Sequence, residues 1–230
     1  MASTDQRMTA IEVVNEVRKL IGLNEITSLL ADKHARVALR LLNGVVSKIS
    51  NAGNWQEMLG SARVTAVVST RVYSIGINRP VKNIFEVAIS GRAQALDPIG
   101  LSDYQRYERA GGTGTPAMFA IRGIDLQTNP QFAVHPQPSA DQDGNMFHVL
   151  YYKKPPLYLT CDADTEIPFA ANLVISGLYA SVLEEEAGGV VTRESMMAAR
   201  DFETQLQEEL NRYDADSGGD TIQLTPAGIR

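Results

Sequence analysis

The apolar residues of this chain change period twice, and that change constrains the fold more than any single motif. Over residues 9–51 they recur at helical spacing, over 64–152 they fall into short strand-like runs, and beyond Pro168 helical spacing returns. A chain of 230 residues is long enough for one large domain or two small ones with a substantial core. The order helix, strand, helix implies that the β part is inserted into a helical part.

Thr9 followed by Glu12 has capping-box spacing. Ile11, Val14, Val17 and Ile21 continue a helix that Gly22 stops. A second helix starts near Ala31, with Val37, Ala38, Leu41, Leu42, Val45, Val46 and Ile49 as its apolar stripe. The short connection predicts an antiparallel hairpin. Trp55 follows as a core anchor.

Strands are predicted over Val64–Ile75, 81–89, 117–121, 131–134 and 146–152, with a short helix over 101–109. Gly, Pro and Asp turns separate them, which favours antiparallel pairing. Pro168 is read as the first residue of a largely buried helix that Gly188 and Gly189 break. Thr192 caps the last helix only partially, because Ser195 stands where a capping box has Glu or Gln. That helix runs to about Tyr213. The fold class is therefore α+β. A helical bundle, made of the N-terminal hairpin and two C-terminal helices, carries an inserted small antiparallel β-sandwich or barrel and a flexible C-terminal tail. The expected domains are helical over 1–56 and 166–213, β over 57–165, and tail over 214–230.

Charge is unevenly spread. Residues 1–160 balance at +4 and residues 161–230 at −10. The acidic third is poorly suited to gripping DNA, which needs clustered Lys and Arg. No stretch approaches the roughly 18 uninterrupted apolar residues of a membrane span. The start MASTDQRMTA lacks the apolar run of a secretory signal, so cytoplasmic synthesis is expected.

No catalytic constellation stands out. GGTGT at 111–115 lacks the Lys of a phosphate loop and leads into Pro116, so it reads as a flexible connection. Asp141, Asp143, Gly144 and Asn145 lack the spacing and late Glu of a calcium loop and read as a hairpin turn. Asp162, Asp164 and Glu166 read as a solvated loop. Cys161 is the only cysteine, and His34, His135 and His148 are scattered, so neither a disulfide nor a metal site is expected. Among 27 acidic residues some glycosidase-like carboxylate pair is always available, so that signal has no specificity. Tyr151, Tyr152, Lys153 and Lys154 read as a strand end, with Tyr151 and Tyr152 on opposite faces. No enzyme activity, cofactor or metal is expected.

After the linker DADSGGD at 214–220, TIQLTPAGI at 221–229 is apolar and too short to fold alone. It reads either as a frayed terminus or as a peptide that docks on a partner, and composition leaves both open.

Three stretches resemble a known family: NWQEML at 54–59 before TAVVSTRVYSI at 65–75, PAMFAIRGIDLQTNPQFAVHPQP at 116–138, and VLYYKKPPLYLTCDADTEIPF at 149–169. With the order of elements, they make residues 9–213 look like the head-to-tail adaptor of short-tailed bacteriophages, also called tail accessory factor or tail tubular protein A. The resemblance implies a structural virion protein of the neck, forming a twelve-fold ring beneath the portal. Helices would surround a DNA channel without sequence-specific binding, and the β-domain would support the tail nozzle and fibres or spikes. The C-terminal tail would bind the portal protein through Ile222, Leu224, Thr225, Pro226 and Ile229. The competing readings are another neck or tail-completion protein, a cell-wall-degrading virion enzyme, and a ligand-binding β-domain.

Overall fold

A computed structural model describes residues 7–77, 80–125, 129–159 and 161–216. Among them lie the helices α1 (Ala10–Leu20), α2 (Lys33–Ala52), α3 (Leu101–Ala110), α4 (Ala171–Glu186) and α5 (Arg193–Asp216). The strands are β1 (Leu59–Thr65), β2 (Val72–Ser74), β3 (Val81–Ile89), β4 (Asp97–Pro98), β5 (Thr113–Gly114), β6 (Met118–Ile124), β7 (Pro130–His135), β8 (Gln137–Pro138) and β9 (Met146–Lys153). The fold is α+β. The chain forms two compact units, Met1–Glu57 with Pro155–Arg230, and Met58–Lys154.

In the helical unit, the capping box of α1 is complete. The Glu12 amide donates to Thr9 Oγ1, and the Thr9 amide donates to Glu12 Oε2 at 2.8 Å. The next two amides of the helix, of Ala10 and Ile11, donate to the carbonyls of Thr165 and Ala163. A strap from the C-terminal half thus satisfies donors that a helix start leaves open. Asn43 holds the same strap from α2. Its side chain accepts from the Tyr158 amide at 2.8 Å and donates to the Tyr158 carbonyl at 2.9 Å. Burial, with Asp162 nearby, pushes the Tyr158 hydroxyl up to about 12, so it stays a donor, to the Glu166 carbonyl.

Helix α4 touches α1, α2 and α5. Its Leu173, Val174, Leu178 and Val182 are buried, as are Leu42, Val45, Val46 and Ile49 of α2 and Phe202 and Leu206 of α5. Trp55 is buried as expected, donating to the Ile49 carbonyl at 2.7 Å and meeting Phe169 edge-on at 5.5 Å.

Two predicted features of this unit differ. Pro168 does not begin α4, which starts at Ala171. The Thr9–Glu166 bridge and the Ile167 amide bond to Met8 hold the chain extended, and Phe169 turns in against Trp55 first. The cap of α5 is fuller than a serine at position 195 suggested. Ser195 Oγ accepts from the Thr192 amide at 2.9 Å while its own amide donates to Thr192 Oγ1 at 3.1 Å. Serine reaches because the pair is compact and Ser195 is buried.

In the other unit one sheet has the order β1-β9-β3 and a second β2-β7-β6-β4. Val87, Ile89, Phe147 and Val149 of the first and Tyr73, Phe119, Phe132 and Val134 of the second share one core. Tyr104 of α3 packs with Ala120 and Ala133, from β6 and β7. Three expectations are corrected here. Pairing is not wholly antiparallel, since β4 with β6 and β5 with β8 run parallel. The run Val64–Ile75 is not one strand: residues 66–71 carry the chain from one sheet to the other. The Tyr73 hydroxyl pins that turn by accepting from the Val67 amide and donating to the Thr70 carbonyl. GGTGT is no loose connection either, because β5 lies inside it, with Gly111 and Gly112 at positive φ.

The helix glycines yield a paired prediction. A Cβ at Gly177 of α4 would lie 2.7 Å from Val45 and 2.8 Å from Phe202, whereas one at Gly44 of α2 would meet nothing within 4 Å. Gly44→Ala should raise stability by about 0.5–1 kcal/mol through helix propensity. Gly177→Ala should lower it by about 1 kcal/mol or more, since overpacking a fixed core outweighs that gain. Urea unfolding of the two variants checks the opposite signs.

Candidate functional site

Helix α2 contains Lys33, Arg36, Arg40 and Lys48 and no acidic residue, whereas α4 ends in Glu184, Glu185 and Glu186. Arg36, Arg40 and Lys48 follow the i, i+4 rule along one exposed stripe. Arg40 meets Glu185 at 2.7 Å, and Lys48 meets Glu203 of α5 while lying 4.9 Å from the centre of the Phe202 ring. Both partners of each ion pair are about half exposed or more, so solvent screens them and they add little stability. They mark the polarity of the surface instead. Lys33 and Arg36 have no ion pair among the described residues. Charge summed over residues 1–160 and 161–230 missed this stripe, although a count per helix carries it.

Where α1 ends and α2 begins, the wiring is tighter. Arg18 is only 6% exposed. It meets Asp32 through both terminal nitrogens, at 2.9 and 3.2 Å, and its Nε donates to the Asn24 carbonyl at 2.7 Å. Asp32 also caps α2, accepting from the Ala35 amide at 2.7 Å. That amide, followed by the Arg18 guanidinium, holds the Asp32 carboxyl below its ordinary value. Beside this pair is a cleft of about 220 Å³, walled by Val14, Val17, Val37, Ala38 and Val182, with Lys33, His34, Glu185 and Glu186 also lining it. The cleft depends on which helix faces meet, so nothing in the linear sequence announced it.

Two of the acidic residues weighed for chemistry hold backbone amides. Asp162 accepts from the Leu159 amide at 2.8 Å, and Asp143 from the Val68 amide at 2.9 Å. Tyr151 is buried, while Tyr152 stacks on Phe85 at 4.9 Å, as alternation requires. Cys161 is exposed. Among the described residues no group of three or more His, Cys, Asp or Glu is placed to hold a metal ion, and no helix is long and apolar enough to cross a membrane. Ile222, Leu224, Thr225, Pro226 and Ile229 lie outside the described residues.

A family model described as SU10 adaptor protein matches residues 8–228. The chain belongs to the SU10 adaptor protein family. No curated protein matches it. Membership is consistent with the phage head-tail adaptor that the sequence resembles, a structural protein of the virion neck. The matched range takes in both compact units and tail residues Ile222, Leu224, Thr225 and Pro226, with Ile229 one residue beyond its end.

The Asp32 site sets a pH dependence. Its pKa is lowered on folding, so its contribution is present above the ordinary value of 3.8 and is lost as pH falls through the folded value. Asp32→Asn should melt at lower temperature than the parent at pH 7, and the gap should narrow as pH drops below 3.8. Thermal unfolding monitored by circular dichroism across that range reads the effect, and a gap that stays constant refutes it.

Proposed function

We propose that this chain joins portal to tail in a short-tailed bacteriophage. Copies form a ring, of twelve by the family resemblance, beneath the portal protein and extend the DNA channel. The helical domain, 1–56 with 166–213, acts as a bundle beside its neighbours around that channel. The β-domain, 57–165, acts as a sandwich that offers docking sites to the nozzle and to fibres or spikes. Residues Ile222, Leu224, Thr225, Pro226 and Ile229 of the tail bind the portal. Work of this kind is occupancy and geometry, not catalysis, and the assembly takes place in the host cytoplasm.

The observation that carries the reading is the family match over residues 8–228, which reaches through the linker into the apolar tail. Physical reasoning supports it. A short apolar peptide binds weakly by itself because ordering it costs conformational entropy. Repetition around a ring makes many such contacts act together, so the assembly is firm where each contact is weak. The excess of acid over base in residues 161–230 is compatible with DNA sliding past without being gripped.

Mixing the purified chain with its cognate portal ring and imaging by electron microscopy, with the chain alone as control, tests this. A ring capping the narrow end of the portal is expected, and deleting residues 221–230 should abolish attachment while the circular dichroism spectrum stays unchanged. A chain that forms no complex, or builds tubes by itself, overturns the adaptor role. Attachment that survives the deletion removes the tail from it.

A further inference from the structure

One end of the helical unit exposes several large apolar side chains. It is formed by the 21–32 loop and the 187–192 turn. Leu20, Leu30, Val190, Val191, Met196 and Met197 are each more than half exposed there. Gly188 and Gly189, at positive φ, make the turn together with the Val190 amide, which donates to the Ala187 carbonyl, so backbone groups and not the valine side chains shape it. The cleft of about 220 Å³ belongs to the same end, since Ile21, Leu23 and Glu186 line it. Surfaces of soluble proteins seldom gather this many large apolar side chains unless something covers them.

We propose that in the free chain this end is covered by the chain's own C-terminal segment, with the Ile229 side chain in the cleft. The inference concerns the chain before it meets any partner and does not depend on what the tail binds later.

Reach decides which residues can be involved. Helix α5 starts next to the 187–192 turn and spans 24 residues, about 36 Å. Its far part lies by the end of α2, where a Cβ on Gly53 would collide with Leu210. The segment after Asp216 must therefore travel back about the length of α5. An extended chain advances at most about 3.5 Å per residue. Leu224 can reach about 28 Å from Asp216, which is level with Met197. Ile229 can reach about 45 Å, and among the tail's large apolar side chains it is the one whose reach exceeds the length of α5. The order of apolar side chains on the segment thus matches their order on the surface: Leu224 over the methionines, Ile229 past Val190 and Val191. Charge agrees. Arg230 follows Ile229, and Glu186 lines the cleft with no ion pair among the described residues.

Hydrogen exchange read by mass spectrometry on the full-length chain, as a monomer verified by light scattering, tests this. Three variants serve: Ile229→Asp, Val191→Asp, and deletion of residues 217–220, which cuts the reach of Ile229 to about 31 Å while keeping every apolar residue. Exchange in the 187–192 turn and binding of an apolar fluorescent dye should each rise several-fold in all three, with no change in the helical circular dichroism signal. Equal exchange and dye binding in parent and variants would show an open end and overturn the proposal. So would a deletion variant that behaves like the parent, which shows that the reach of Ile229 does not govern the cover, or protection that appears only as concentration rises, which places another copy's segment there.

Discussion

Helix α4 is apolar on nearly every side until its last turn, and such a helix is stable only where other elements cover it. Burial of α4 is the constraint on which the helical unit depends. Helices α1, α2 and α5 supply the cover, and Gly177 brings α2 and α5 close by leaving room for Val45 and Phe202. The strap ahead of α4 is bound into the same arrangement. It meets Asn43 on α2, it gives its carbonyls to the first amides of α1, and only then does the chain turn at Phe169 into α4. The two halves of this unit, far apart in sequence, are therefore joined by backbone hydrogen bonds as well as by apolar contact.

How much of this was legible in the sequence follows from what each signal depends on. The capping box of α1, the stripe of α2, the strand over 81–89 and the short helix α3 rest on residues near one another, and local spacing reveals them. Pro168 misled because a proline suits a helix start, whereas the start here is delayed by a bridge to Thr9, which no local rule registers. The run from Val64 to Ile75 has uniform β propensity, yet the Tyr73 hydroxyl folds its middle into a turn. Parallel pairing of β5 with β8 joins residues about two dozen positions apart and leaves no alternation in so short a strand.

Composition marked Ile222, Leu224 and Ile229 as an apolar stretch beyond DADSGGD and left open whether it frays or docks, and these residues lie outside the described ones. The surface of the helical unit was not legible. Val190, Val191, Met196 and Met197 are exposed, whereas sequence places the same residues equally well in a core. The basic stripe of α2 was hidden by summing charge over long segments, which averages it against the acidic residues around it.

Adaptors gain from carrying unsatisfied surfaces, and this is a physical tension. A patch that binds a partner well is also a patch that water disfavours while the partner is absent. An exposed cluster of valines and methionines invites indiscriminate association in the interval between synthesis and assembly. The tail cover proposed above would resolve the tension, because a tethered segment has a high effective concentration that is independent of dilution. On that view the acidic linker and apolar end of the tail are matched in length to α5, and the helix acts as the measure that decides which residue arrives at the cleft.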